Sequence, residues 1–171
     1  MRRPAPAFAC PWPPDPLQGR RSGGMTRPMS DLDNRRIQTV RDHMAMEIVS
    51  DWDGVIATFA HPRYELYGSG SVFDGETAVR RYFAASRRPF PDQANEIIAI
   101  AAAENTVLVE FWLTGTHLGP LKVGDRVIEA TGRSFRIRMA ASFEFAPGSD
   151  KISCERPYYD QGAVARALGL A

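Results

Sequence analysis

Apolar positions along this chain follow two periods, and the change of period divides it. Early on they recur every three to four residues. Ile37, Val40, Met44 and Ile48 follow Ser30-x-x-Asp33, a capping-box form with Asp in place of Glu, and predict an amphipathic helix. A second Ser-x-x-Asp, Ser50 to Asp53, predicts a bend and a short helix carrying Trp52, Val55, Ile56 and Phe59. His61-Pro62 ends it, because the residue before proline avoids the α region. Arg63 to Tyr67 alternates, with Tyr64 and Leu66 on one face and Arg63, Glu65 and Tyr67 on the other. Gly68-Ser69-Gly70 turns the chain and Ser71 to Phe73 returns. Asp74 is expected to cap a third helix that turns Val79, Tyr82 and Phe83 inward.

From residue 96 the period is two. Glu96 to Ala103 is an apolar strand, and Glu104-Asn105 a tight hairpin. Asn105 to Pro120 is the longest β-type run, with Val109, Phe111 and Leu113 on one face and Glu110 and Trp112 on the other. A lone carboxylate in such a strand is costly to bury, so that face meets water, a partner or a cavity. Residues 118–131 hold Gly119, Pro120 and Gly124, a loop long enough to cover a pocket. Gly132 to Phe145 alternates most clearly: Phe135, Ile137, Met139, Ala141, Phe143 and Phe145 share one face. Pro147-Gly148-Ser149-Asp150 turns into the last strand, Lys151 to Tyr159, and Asp160 opens a short helix with Val164 and Leu168. The order predicts an α+β fold, a curved antiparallel sheet packed on the N-terminal helices. Tyr67, Phe83 and Trp112 are expected to line the cavity between them.

Composition changes this picture only at the N-terminus. Six prolines between Pro4 and Pro16, then Arg20-Arg21-Ser22-Gly23-Gly24, make residues 1–30 an expected disordered leader, with Met25 or Met29 as candidate natural starts. Ala5 to Cys10 is too short and Pro-interrupted for a signal peptide. Residues 31–171 read as one domain. A net charge of +1 gives no global argument for nucleic acid or an acidic membrane, and no run approaches the roughly 18 apolar residues that span a bilayer. Arg80, Arg81, Arg87 and Arg88 have no aromatic stacking pattern beside them and read as a solvated face. Cys10 and Cys154 are too few for a disulfide framework, which makes a reduced cytoplasm the default. No two His or Cys residues stand at metal-ligand spacing, and there is no phosphate loop or nucleophile elbow.

Candidate polar chemistry is sparse. His117 could polarise a carbonyl or relay a proton, or could be a strand-end His bonded to a loop. Glu110 is a candidate second acid or else a cross-strand partner of Arg136 or Arg138, and Glu155 reads the same way. Tyr64 and Tyr67 are enolate-binding candidates or half-buried core residues. His61 reads as structural and His43 as surface.

Four pieces resemble the SnoaL-like branch of the nuclear-transport-factor-2-like, or ketosteroid-isomerase-like, superfamily over roughly residues 33 to 170. They are Trp52-Asp53; Phe73-Asp74-Gly75; Gly115-Thr116-His117-Leu118-Gly119-Pro120; and Glu155-Arg156-Pro157-Tyr158-Tyr159-Asp160 leading into Ala167-Leu168-Gly169-Leu170. The resemblance implies a cone-shaped α+β barrel, generally dimeric through its sheets, with a pocket inside the cone. It implies aldol-type cyclisation without a cofactor, with Asp160 at the position of the family's acid–base aspartate. The cyclases also use a His in the preceding strand, and this chain has none after His117. As a base, Asp160 needs an apolar wall to raise its pKa, which Trp112, Tyr158 and Tyr159 could supply; as the first residue before a helix it is equally an N-cap. The expectation is a cofactor-free, metal-free homodimeric enzyme for a small apolar carbonyl compound. Asp160 and His117 would be catalytic, and Trp112, Tyr67, Phe83, Tyr158 and Glu110 would bind substrate. A non-catalytic dimeric ligand-binding module and a hydrolase of the same fold are the alternatives.

Overall fold

A computed structural model describes residues 28–170. Apart from Pro28, Met29 and Ser30, the expected leader, with Cys10, lies outside the described residues. Helix α1 (Asp31–Ile48) begins on a working capping box: the Ser30 hydroxyl accepts from Asp33 N at 3.1 Å and the Asp33 carboxylate accepts from Ser30 N at 2.8 Å. Of its expected apolar stripe Val40 and Met44 are buried, Ile37 is half-buried and Ile48 is exposed. The buried face is wider and more polar than that stripe, because it also holds Arg36 and His43. Arg36 reaches four acceptors in two hairpins: Glu104 O and Asn105 Oδ1 at one, Ala146 O and Ser149 O at the other, at 2.8–3.1 Å.

Two caps differ from expectation. Helix α2 (Trp52–Ala57) is capped by Asp51, which accepts from Gly54 N at 3.0 Å; Ser50 instead takes the left-handed turn before it. Asp74 does not cap α3 (Glu76–Arg87). Its carboxylate is held by His61 at 2.7 Å and Arg63 at 3.0 Å, and Gly75 stands at the N-cap. Helix α4 (Gln161–Leu168) is capped by Asp160.

Strands β1 (Arg63–Leu66), β2 (Ser71–Asp74), β3 (Ala94–Ala103), β4 (Thr106–Thr116), β7 (Ser134–Phe145) and β8 (Ile152–Tyr158) form one curved sheet in the order β2-β1-β8-β7-β4-β3. The 118–131 loop carries a separate hairpin of β5 (Leu121–Val123) and β6 (Arg126–Ile128). Pairings are antiparallel except one: β1 runs parallel to β8, with Tyr64 opposite Glu155. All six alternating residues from Phe135 to Phe145 are buried and form the core's sheet side.

The Thr116-His117-Leu118-Gly119-Pro120 segment pins the end of β4. His117 N donates to Arg133 O, and Leu118 N and Gly119 N both donate to Pro89 O. A Cβ on Gly119 would lie 2.2 Å from Arg88 O, so only glycine lets the strand end press against the chain leaving α3. That contact fixes Arg87 to Phe90 against the space under the sheet.

Replacing Arg36 by Met should cost about 3 kcal/mol of unfolding free energy, because carbonyls of two hairpins lose a charged donor at once. Urea unfolding reads it directly; a loss below about 1 kcal/mol would show that water replaces the guanidinium.

Candidate active site

A cavity of about 1050 Å³ lies between the inner face of the sheet and helices α1, α3 and α4, with the β5–β6 hairpin on one side. That is the upper end of the range for small-molecule pockets. Phe90, Phe111, Leu113, Phe135, Ile137 and Met139 make apolar walls. Polar side chains gather at the opposite end: Glu47, Tyr64, Tyr82, Arg87 and Glu155. His43 stands behind them, fully buried.

Four elements bring this group together, with Tyr82 and Arg87 coming from α3. His43 and Glu47 are one turn apart on α1 and share a face. Tyr64 and Glu155 are neighbours through the parallel β1–β8 register, and Phe143 flanks Glu155 on β7. Phe59 and Phe143 pack edge-on against the His43 ring at 5.3 and 5.6 Å, which fixes its plane.

The hydrogen bonds fit a doubly protonated His43. Thr58 Oγ1 donates its one proton to Val55 O at 2.6 Å, so at 2.8 Å it accepts from His43 Nδ1. Tyr64 donates its hydroxyl proton to Glu47 Oε1 at 3.1 Å, so at 3.0 Å its oxygen accepts from His43 Nε2. His43 therefore carries both protons, and its Nε2 lies 3.1 Å from Glu155 Oε2. Burial alone would lower the imidazole pKa, but the Glu155 hydrogen bond and the charges of Glu155 and Glu47 outweigh it and the net shift is upward. Glu47 is also pushed up, by burial first and then by the charge of Glu155, against the pull of His43, Arg87 and the Tyr64 hydroxyl. Burial and the two carboxylates hold the Tyr64 and Tyr82 hydroxyls protonated.

The ligand atoms of His43, Glu47 and Glu155 all lie within 4.8 Å of one another, the one group of three or more His, Cys, Asp or Glu able to hold a cation among the described residues. Reading for paired His or Cys alone misses it. The His43–Glu155 and His43–Tyr64 separations are hydrogen-bond lengths, and a proton is the occupant they fit.

Of the candidates read from sequence, Tyr64, Tyr159 and Glu155 line this cavity, whereas Asp160, His117, Trp112, Tyr67, Phe83, Tyr158 and Glu110 do not. Asp160 is exposed; it accepts from Gly162 N at 2.8 Å and pairs with Arg166 at 2.7 Å. Arg166, and with it the Gly162 and Ala163 amides, holds its carboxyl below the ordinary range, the opposite of what a base near neutrality needs. His117 is buried away from the cavity against Phe90, bonded to Thr131. Trp112 and Glu110 lie on the outer face of the sheet. Trp112 is stacked between Arg136 and Arg138 at 4.0 and 5.1 Å, and Glu110 pairs with Arg138 at 3.0 Å. Tyr67 and Tyr158 pack on each other in the open, 73% and 37% exposed. Phe83 is core, stacked on Trp52 at 4.6 Å.

Two sequence readings are corrected in the other direction. His43 is not a surface residue, and Glu155 has no cross-strand arginine. One signal pointed to His43: the His43-x-x-x-Glu47 spacing sets a carboxylate one turn away on the helix, beside Met44 of the apolar stripe.

Both raised groups bind protons more tightly in the folded chain than in the unfolded one. Their contribution to stability is complete below the ordinary values and is lost as pH climbs through the folded ones. Unfolding free energy should therefore fall as pH rises above the ordinary imidazole value of 6.5, and His43→Gln should flatten the fall. Urea melts at several pH values check this; a wild-type profile that rises over that span would contradict it.

Residues 40–153 match the family model of the SnoaL-like domain. No curated protein matches the chain. Among solved structures, a SnoaL-like polyketide cyclase, so described provisionally, from Jannaschia sp. CCS1 superposes with a TM-score of 0.73 at 19% identity, covering 85% of this chain and 99% of that one. IdmH from Streptomyces antibioticus, also described provisionally as a polyketide cyclase, gives 0.66 at 17% identity, over 78% and 98% of the two chains. A protein with a ketosteroid-isomerase-like fold from Catenulispora acidiphila, solved with trimethylamine, gives 0.64 at 17% identity, over 78% and 94%. At such identities the likeness speaks for the fold, and with the family match it makes this chain a member of the SnoaL-like domain family, built on the nuclear-transport-factor-2-like, ketosteroid-isomerase-like fold.

Proposed function

We propose that the chain is a cofactor-independent acid–base enzyme for a small, largely apolar carbonyl compound, catalysing an aldol-type cyclisation or an isomerisation. Glu155, not Asp160, moves the proton. The observation that carries this reading is Glu155 itself: a buried carboxylate lining an apolar cavity, with one oxygen against the His43 imidazolium.

In this reading Glu155 takes a proton from the carbon next to the carbonyl, and the electron pair moves onto the carbonyl oxygen. Tyr82 lines the same cavity and its hydroxyl has no protein partner among the described residues, so it is free to donate to that oxygen. The proton then returns to another carbon, or the enolate carbon attacks a second carbonyl whose oxygen takes the proton from Glu155. His43 keeps the carboxylate oriented between turnovers. Two structural neighbours described as polyketide cyclases support the reaction class. Pairing of two copies through the outer sheet face belongs to the same reading, supported by the exposed Leu108 and Tyr158 around a shallow alanine-lined hollow there.

Deuterium exchange beside the carbonyl of 2-tetralone, followed by proton NMR in D2O, tests the chemistry without knowledge of the natural substrate. Wild type should exceed buffer, Glu155→Gln should lose about 10²–10⁴-fold, and Asp160→Asn should keep the wild-type rate. Circular dichroism confirms that each variant is folded. Exchange unchanged in Glu155→Gln, or lost in Asp160→Asn, would overturn the assignment.

A further inference from the structure

Most arginines near the core spend their donors on protein groups. Arg36 makes four hydrogen bonds, and Arg63 and Arg156 are each paired with carboxylates. Arg87, in the last turn of α3, does not. It lines the cavity and its side chain is only 15% exposed. Its Nε is buried without a partner. The nearest carboxylate oxygen, Glu47 Oε2, lies 3.8 Å from Nη2, beyond hydrogen-bond length. A guanidinium serving as the dedicated partner of Glu47 would close a fork at about 2.7–2.9 Å. What holds Arg87 instead is Trp52, whose ring it covers at 5.3 Å and which is itself stacked on Phe83. The guanidinium is thus fixed on one side and unsatisfied on the other.

We propose that Arg87 sets the specificity of the cavity, and that the ligand is an apolar molecule bearing a carboxylate, which the guanidinium takes with two parallel N–H donors. This rests on the cavity being the binding site, as in the function proposed above. The planar fork of arginine matches the two oxygens of a carboxylate, and the apolar wall from Phe111 to Met139 suits the rest of such a molecule. Charge agrees. His43 is balanced by Glu155, and Glu47 holds its proton more readily than an ordinary glutamate, which leaves the positive charge of Arg87 open to an incoming anion. The β5–β6 hairpin adds Lys122 and Arg126 to the lining, whereas its acid, Asp125, does not line the cavity.

Calorimetric titration with 2-naphthoate and 2-naphthamide, which share one apolar body, tests the proposal. Wild type should bind the naphthoate about tenfold or more tightly than the amide, the worth of a charge-assisted hydrogen bond. Arg87→Met should erase that preference and leave the amide within about threefold of its wild-type affinity, and Asp160→Asn, at an exposed residue outside the cavity lining, should keep the preference. A wild type that binds both alike, or a preference that survives Arg87→Met, overturns the role of Arg87 and leaves the cavity and Glu155 standing. If neither compound binds wild type, this proposal falls, while 2-tetralone exchange still judges the chemistry separately.

Discussion

A single parallel pairing holds the candidate site together. The other pairings between the named strands are antiparallel, but β1 meets β8 side by side and sets Tyr64 next to Glu155. Helix α1 must then lie at one height and rotation for His43 to reach both. Arg36 supplies that constraint. It sits about two helical turns before His43 on the same face and is tied to hairpins on either side of β4 and β7. The strand register chooses the partners, and the arginine brings the helix to them.

The cluster is expensive to build. Moving a carboxylate and an imidazole out of water costs several kcal/mol per ion before any attraction is counted. Thr58, Tyr64 and the paired charges offset much of this, and aromatic rings on two sides exclude water that would weaken them. An all-apolar floor would have been the simpler route to a stable fold. Keeping a large cavity beside such a floor gives up packing as well, so the stability of this chain is spent where a ligand would sit.

Much of the architecture was legible in the sequence, and the site was not, for reasons that particular residues show. The alternation from Phe135 to Phe145 and the stripe through Val40 and Met44 are local signals, and both elements formed as read. The Thr116 to Pro120 segment was legible as a motif but does a structural job, pressing Gly119 onto Arg88. Asp160 carried two local readings, and the exposed cap with Arg166 beside it decided between them. Glu110 and Trp112 were placed correctly on one face; that face turned outward because Val109, Phe111 and Leu113 are the better core. The polar cluster escaped because its members come from residues 43, 47, 64 and 155, joined by a parallel strand contact that no turn signal announces. A lone His on a helix reads as surface until the strands beneath it are known.

The protonation of His43 is the most direct test of this account. Nitrogen-15 NMR of the labelled chain at neutral pH should show both ring nitrogens of His43 protonated, with a pKa above that of free imidazole that drops in Glu155→Gln. A neutral ring with a single proton, indifferent to Glu155, would mean that the floor of the cavity is an ordinary buried hydrogen-bond network and not an acid–base centre.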